Sequence, residues 1–92
     1  MILCRVIGNV WATRKEENLV GNKFLIVQTE RPDGIRESEI FVAVDRIGAG
    51  VGDLVLVTRG SSARIVFSKE SPIDAVIIGI VDSVDAEVND GE

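Results

Sequence analysis

The sequence contains no histidine and no tyrosine, a single cysteine, a single tryptophan and two prolines. Without histidine there is no general base with a pKa near neutrality, no Ser-His-Asp arrangement and none of the commonest zinc ligand. One cysteine, Cys4, cannot form a disulfide within the chain, which fits a reducing cytosol. Set in an apolar strand, it reads as an inert buried thiol rather than a nucleophile. The N-terminus carries Arg5 too early for a secretory leader and shows no cleavage pattern. The longest apolar stretch, residues 75–81, is far too short to cross a bilayer as a helix.

Positive charge is also scarce. Ten Lys and Arg face fifteen Asp and Glu, for a net charge of −5. Such a chain is repelled by phosphate backbones and by anionic lipid, so nucleic acid and membrane are poor partners. The acidic excess gathers at the C-terminus in Asp82, Asp85, Glu87, Asp90 and Glu92, with no Lys or Arg among them. This run reads as a solvated tail over residues 85–92, following a folded unit over residues 1–84. It lacks the spacing of a calcium loop.

What the chain does have is apolar residues. They make up 46% of 92 residues, a length that implies one domain. A domain of this size buries only about 60–65% of the surface its unfolded chain exposes. Five segments read as strands: residues 2–11, 24–29, 40–44, 54–58 and 76–81. In the first, Ile2, Cys4, Val6 and Val10 fall on one face and Leu3, Arg5, Ile7 and Trp11 on the other, so both faces carry large apolar groups. Pro32-Asp33-Gly34 supplies the turn between the second and third. One short helix is expected after Gly60, capped by Ser61 or Ser62 and running toward Phe67. Together these predict an all-β chain: a small five-stranded, OB-like closed barrel with one short helix. Residues 40–44 and 76–81 do not alternate as half-wet antiparallel strands should. Their outer faces need a cover that the chain has no spare element to provide, and a second copy is the economical one.

Three segments invite a chemical reading. Gly48, Gly50 and Gly52 imitate a nucleotide loop, but the spacing is G-x-G-x-G, a strand follows, and no Gly-Lys-Ser/Thr is present. A tight loop needing positive φ angles accounts for them. Close to a symmetry axis such a loop suits residues with little side chain, which makes Gly48, Ala49 and Gly50 candidates for an axial or pore loop. Gly60, Ser61, Ser62, Ala63 and Arg64 could hold a small anion, or could form a capped helix whose arginine meets a carboxylate of its own or a neighbouring subunit. They are candidate subunit-interface residues. So is Trp11, a lone aromatic that no stacking platform accompanies, expected in the barrel mouth or at a subunit contact. A carboxylate pair is the remaining route to catalysis, but the pattern predicts acids clustered in turns and the tail rather than at the ends of apolar strands. No catalytic residue, metal ligand or cofactor-binding residue is assigned.

Several blocks, in order, resemble the EutN/CcmL family of bacterial-microcompartment vertex proteins, along nearly the whole chain up to about Val84. They are residues 8–15 (GNVWATRK), 19–28 (LVGNKFLIVQ), 42–50 (VAVDRIGAG), 55–64 (VLVTRGSSAR) and 71–82 (SPIDAVIIGIVD). The resemblance implies an OB-like barrel and a cyclic pentamer, with a six-membered ring as the other closed form. It implies a structural, non-enzymatic role at the five-fold corners of a polyhedral shell in the cytoplasm, beside hexameric shell proteins, without a cofactor. The alternatives carried forward are an OB-fold module for a ligand or single-stranded nucleic acid, and a regulator that binds a small anion at Gly60 to Arg64.

Overall fold

The computed structural model describes residues 1–11, 22–60 and 73–87. Five strands run through them: β1 (Ile2–Val10), β2 (Lys23–Glu30), β3 (Arg36–Asp45), β4 (Leu54–Arg59) and β5 (Ala75–Ile80). They close into a barrel in the order β1-β2-β3-β5-β4. Every pairing is antiparallel except β3 with β5, which is parallel and spans two residue pairs, Val44 with Val76 and Asp45 with Ile77. The expected all-β, OB-like closed barrel is therefore the fold. Strand ends differ from expectation by a few residues. The largest change is β3, which starts at Arg36 because its polar first half pairs with β2 beyond the 31–34 turn. The expected helix beyond Gly60 lies outside the described residues.

Alternation decides what goes inside. Cys4, Val6, Leu25, Val27, Ala43, Val55, Val57, Ala75 and Ile77 point inward and are buried. Each large aliphatic among them contributes about 1.5–3 kcal/mol by leaving water. The interior is built from Val, Ala and single Leu and Ile residues because a five-stranded barrel is narrow. Phe24 accordingly packs on the outside, against a second cluster of Val44, Ile73 and Val76.

Two further groups complete the core. The fully buried Ala49 inserts into it from the β3–β4 loop. Phe41 packs partly on it, with the Arg59 guanidinium 4.4 Å above its ring, and Arg59 is paired with Glu39 at 2.7 Å. Three register shifts interrupt the wall. β1 carries Ile7 as an extra residue between Val6 and Gly8, β3 carries extra residues between Arg36 and Ile40 opposite the Gln28–Glu30 end of β2, and β5 carries Ile78 between Ile77 and Gly79.

Cys4 sits inside this barrel. Desolvation pushes its thiol from 9.0 up to about 11, against the opposing pull of the Arg59 charge. A thiol held protonated in the folded state stabilises fully below the unfolded pKa, and that stability is lost as pH rises through the folded pKa. Urea midpoints of the native protein and of Cys4→Ala should therefore diverge between pH 9 and 11, with the native protein losing up to about 2–3 kcal/mol more. Parallel curves across that range would contradict this placement of Cys4.

Candidate functional site: the barrel exterior and its loop end

The loop of residues 46–53 leaves β3 and enters β4, and polar contacts hold it at both ends. The buried Asp45 carboxylate accepts the backbone N–H groups of Ile47 and Gly48, each at 3.2 Å. Lys23 stands 3.7 Å from that carboxylate and donates from Nζ to the Ala49 carbonyl at 2.5 Å. Farther on, the Gly50 N–H donates to Asp53 Oδ2 at 2.8 Å, and the Gly52 N–H donates to the Val6 carbonyl at 2.9 Å. Gly48 and Gly52 have φ of 90° and 96°, a region that other residues rarely adopt, while Gly50 does not. The result is a rigid loop that exposes Arg46, Ile47 and Val51.

The expectation that Ala49 is small to allow chains to approach one another has a different physical basis here. Its methyl is buried in its own barrel, so a larger or charged residue there would disrupt the fold before it reached any neighbour. Gly48 is exposed and Gly50 half-buried. Trp11 is 87% exposed at the end of β1, which rules out burial in the barrel mouth. Gly60 is exposed in the left-handed region, with φ of 68°, and donates its N–H to the Asp74 carbonyl at 2.7 Å. Ser61, Ser62, Ala63 and Arg64 lie outside the described residues.

Two carboxylates do stand at strand ends, contrary to expectation: Glu30 closes β2 and Asp45 closes β3, and both are buried. Each is committed to structure. Arg5 forks onto Glu30, with Nε donating to Oε1 at 3.0 Å and Nη2 to Oε2 at 2.6 Å, and its Nη1 donates to the Gly52 carbonyl at 3.0 Å. Arg36 lies 3.9 Å from the same carboxylate. The hydrogen bond to Glu30 raises the pKa of Arg5 further. This fork ties β1, β2 and the loop together, and it floors a groove of about 400 Å³ between the 31–34 turn and residues 81–84. Sequence alternation did not single out Arg5 and Glu30. Their signal is an arginine inside an apolar strand, with an acid at the end of the strand beside it. Among the described residues no group of three or more Cys, Asp or Glu side chains is placed to hold a metal ion.

The outer wall is what remains to be explained. Strand register lays Gly8, Ile26 and Val42 in one outward row across β1, β2 and β3, with Ile40 in the next row. Ile40 and Val42 are 54% and 46% exposed. On the far flank of β1 the register lays Leu3, Leu56 and Gly79 in a row across β1, β4 and β5, all half-buried. A cleft of about 310 Å³ at the β3–β5 seam is lined by Arg46, Ile47, Val76, Ile77 and Ile78. Two apolar exterior rows without a catalytic constellation describe a surface built for contact.

Comparison with known proteins gives that surface a family. The family profile described as "Ethanolamine utilisation protein EutN/carboxysome" matches residues 1–82. The chain belongs to the EutN/CcmL family. It is 47% identical over 89 residues to the shell vertex protein PduN of Salmonella typhimurium, covering 91% of this chain and 98% of that one. It is 45% identical over 85 residues to the carboxysome shell vertex protein CcmL of Thermosynechococcus vestitus, covering 91% and 86%. Among solved structures, the pentameric shell protein GrpN of Rhodospirillum rubrum superposes with a TM-score of 0.86 at 44% identity, covering 95% of this chain and all of that one.

The two arginine pairs should behave oppositely. Arg5→Ala takes both charge-assisted hydrogen bonds from the Glu30 carboxylate, whose side chain is 3% exposed, leaving it only Arg36 at 3.9 Å, and should cost about 3 kcal/mol by urea unfolding, the low end for a broken buried pair. Arg59→Ala removes an exposed pair and one ring contact and should cost no more than about 2 kcal/mol at the same protein concentration. Equal losses would refute the assignment of Arg5 as the buried clamp.

Proposed function

We propose that this protein is a structural shell subunit of a bacterial microcompartment, and that it forms a cyclic pentamer closing the vertices of the polyhedral shell. The observation that carries this is the match, over nearly both chains, to a protein solved as a pentameric microcompartment shell protein. The relatives named as vertex proteins serve carboxysomes and other microcompartments alike, so the role common to them is geometric rather than tied to one cargo. Apolar rows on the barrel exterior support it, because they give a ring something to bury. The place of action is the shell of a compartment in the cytoplasm, and the chain's own chemistry is nil.

A closed shell of six-fold tiles needs corners of lower symmetry. A pentamer at each corner meets hexameric shell proteins along its rim, where shape and charge select the position. The barrel of residues 1–84 is the tile. Residues 85–92 are an acidic tail, in keeping with the exposure of Asp85 and Glu87. Gly48 and Gly50, with the core-inserted Ala49 between them, hold the loop proposed to face the five-fold axis. Trp11 and the segment Gly60, Ser61, Ser62, Ala63 and Arg64 are proposed to contribute to contacts between subunits.

Deleting the gene, together with any paralogue, should leave flat facets able to form but give elongated or unsealed shells in electron micrographs. Such shells should leak their intermediate, while cargo enzymes stay active in lysate. Shells that close and retain the intermediate normally would refute the vertex role. Inactive cargo in lysate would favour a regulator instead.

A further inference from the structure

A ring of five identical subunits is head-to-tail, so each subunit must present two unlike faces that fit one another. Taking the vertex assignment as the premise, the structure offers two such faces, one on each flank of β1. One is the row through Ile26 and Val42, with Ile40 beside it, where the exposed Ile40 and Val42 of β3 stand next to the half-buried Ile26 of β2. The other is the row through Leu3, Leu56 and Gly79 on β1, β4 and β5.

Gly79 is the informative residue. Glycine weakens a strand interior, so its presence needs a cause. The backbone supplies none, because Gly79 is not in the left-handed region. The extra residue of the adjacent bulge is Ile78, not Gly79. Packing supplies none either. A Cβ at this position would meet only Leu56, at the ordinary contact distance of 3.8 Å, among the described residues. Gly8 differs, since a Cβ there would press on Ile26 Cδ1 at 3.3 Å, so the fold of the single chain explains it. At Gly79 the single chain leaves a notch that it does not use. Glycines of this kind mark a place where another chain comes close.

We infer that the Leu3–Leu56–Gly79 row is the socket of the ring contact, and that Ile40 and Val42 of the adjacent copy seat in it. A second copy fits both requirements. It presents an exposed aliphatic ridge where the socket has a notch, and its own socket is left open on the far flank for the next copy. Like-to-like contact would satisfy the ridge but leave the socket empty and stop at a dimer.

The test uses the full chain with three variants, followed by light scattering for mass and circular dichroism for folding. Val42→Glu puts a charge on the ridge and Gly79→Glu fills the socket; Val42 is exposed, and a Cβ at position 79 clashes with nothing in the single chain. Each variant alone should be a folded monomer. Mixed in equal amounts they should form a dimer and nothing larger, because only one intact ridge and one intact socket can meet. Gly79→Val adds bulk without charge. It should leave the folding signal intact while raising at least ten-fold the concentration at which half the rings dissociate. A ring of native mass and strength in Gly79→Val, or a homodimer of Gly79→Glu alone, overturns the socket. If Gly79→Glu fails to fold, Gly79→Val decides. A native chain that is itself monomeric refutes the vertex assignment instead, so the two failures are told apart.

Discussion

A five-stranded barrel is too narrow to take inside all the apolar surface its strands carry, and the rest of the structure follows from that constraint. The inward positions are filled by Val, Ala and a few larger aliphatics, and Ala49 adds a single methyl group to them from the β3–β4 loop. Phe24 is displaced to the outer wall. Ile40 and Val42 are left facing water on a strand that a solitary domain would make polar. A chain of 92 residues with this much uncovered apolar wall gains by assembling, and a ring buries the wall without leaving an open end.

Because the barrel is thin, its shape depends on polar clamps at the edges. Lys23 and Asp45 fasten the start of the 46–53 loop, and Asp53 with the Val6 backbone fastens its end. Arg5 and Glu30 bind β1 to β2 and reach the same loop through Gly52. Buried charged pairs of this sort contribute little net stability against an apolar alternative, but losing one partner is costly. Their value here is directional. They fix where Arg46, Ile47 and Val51 point, and a tile that must meet its neighbours at set angles needs that rigidity.

Much of the barrel was legible in the sequence because the period-two patterns in β2 and the first half of β1 and the Pro32-Asp33-Gly34 turn are local signals; past Val6 the Ile7 bulge shifts the period, so Val10, expected on the face of Cys4 and Val6, pairs instead with the outward Phe24. The unalternating stretches of β3 and β5 pointed to two-sided burial, and the strand register shows how: Val44 and Val76 pair across the seam with their outer faces covered, while Val42 stays exposed. What the sequence hid is non-local. Arg5 and Glu30 are 25 residues apart, and no spacing rule brings a strand arginine to a strand-end acid. Ala49 looked like a loop residue kept small for its neighbours, and only the topology shows that its methyl belongs to the core. Gly79 sits in an apolar run where nothing marks it, and its oddity appears only once the space around it is seen.

The central claim is that the outer wall of this barrel is covered by other copies of the same chain in a closed ring. Native mass spectrometry of the purified protein tests it most directly. A single dominant species of five chains, each 9.9 kDa, persisting as the protein is diluted through the micromolar range, is the predicted result. A monomer at those concentrations, or a ladder of sizes with no closed state, would contradict it.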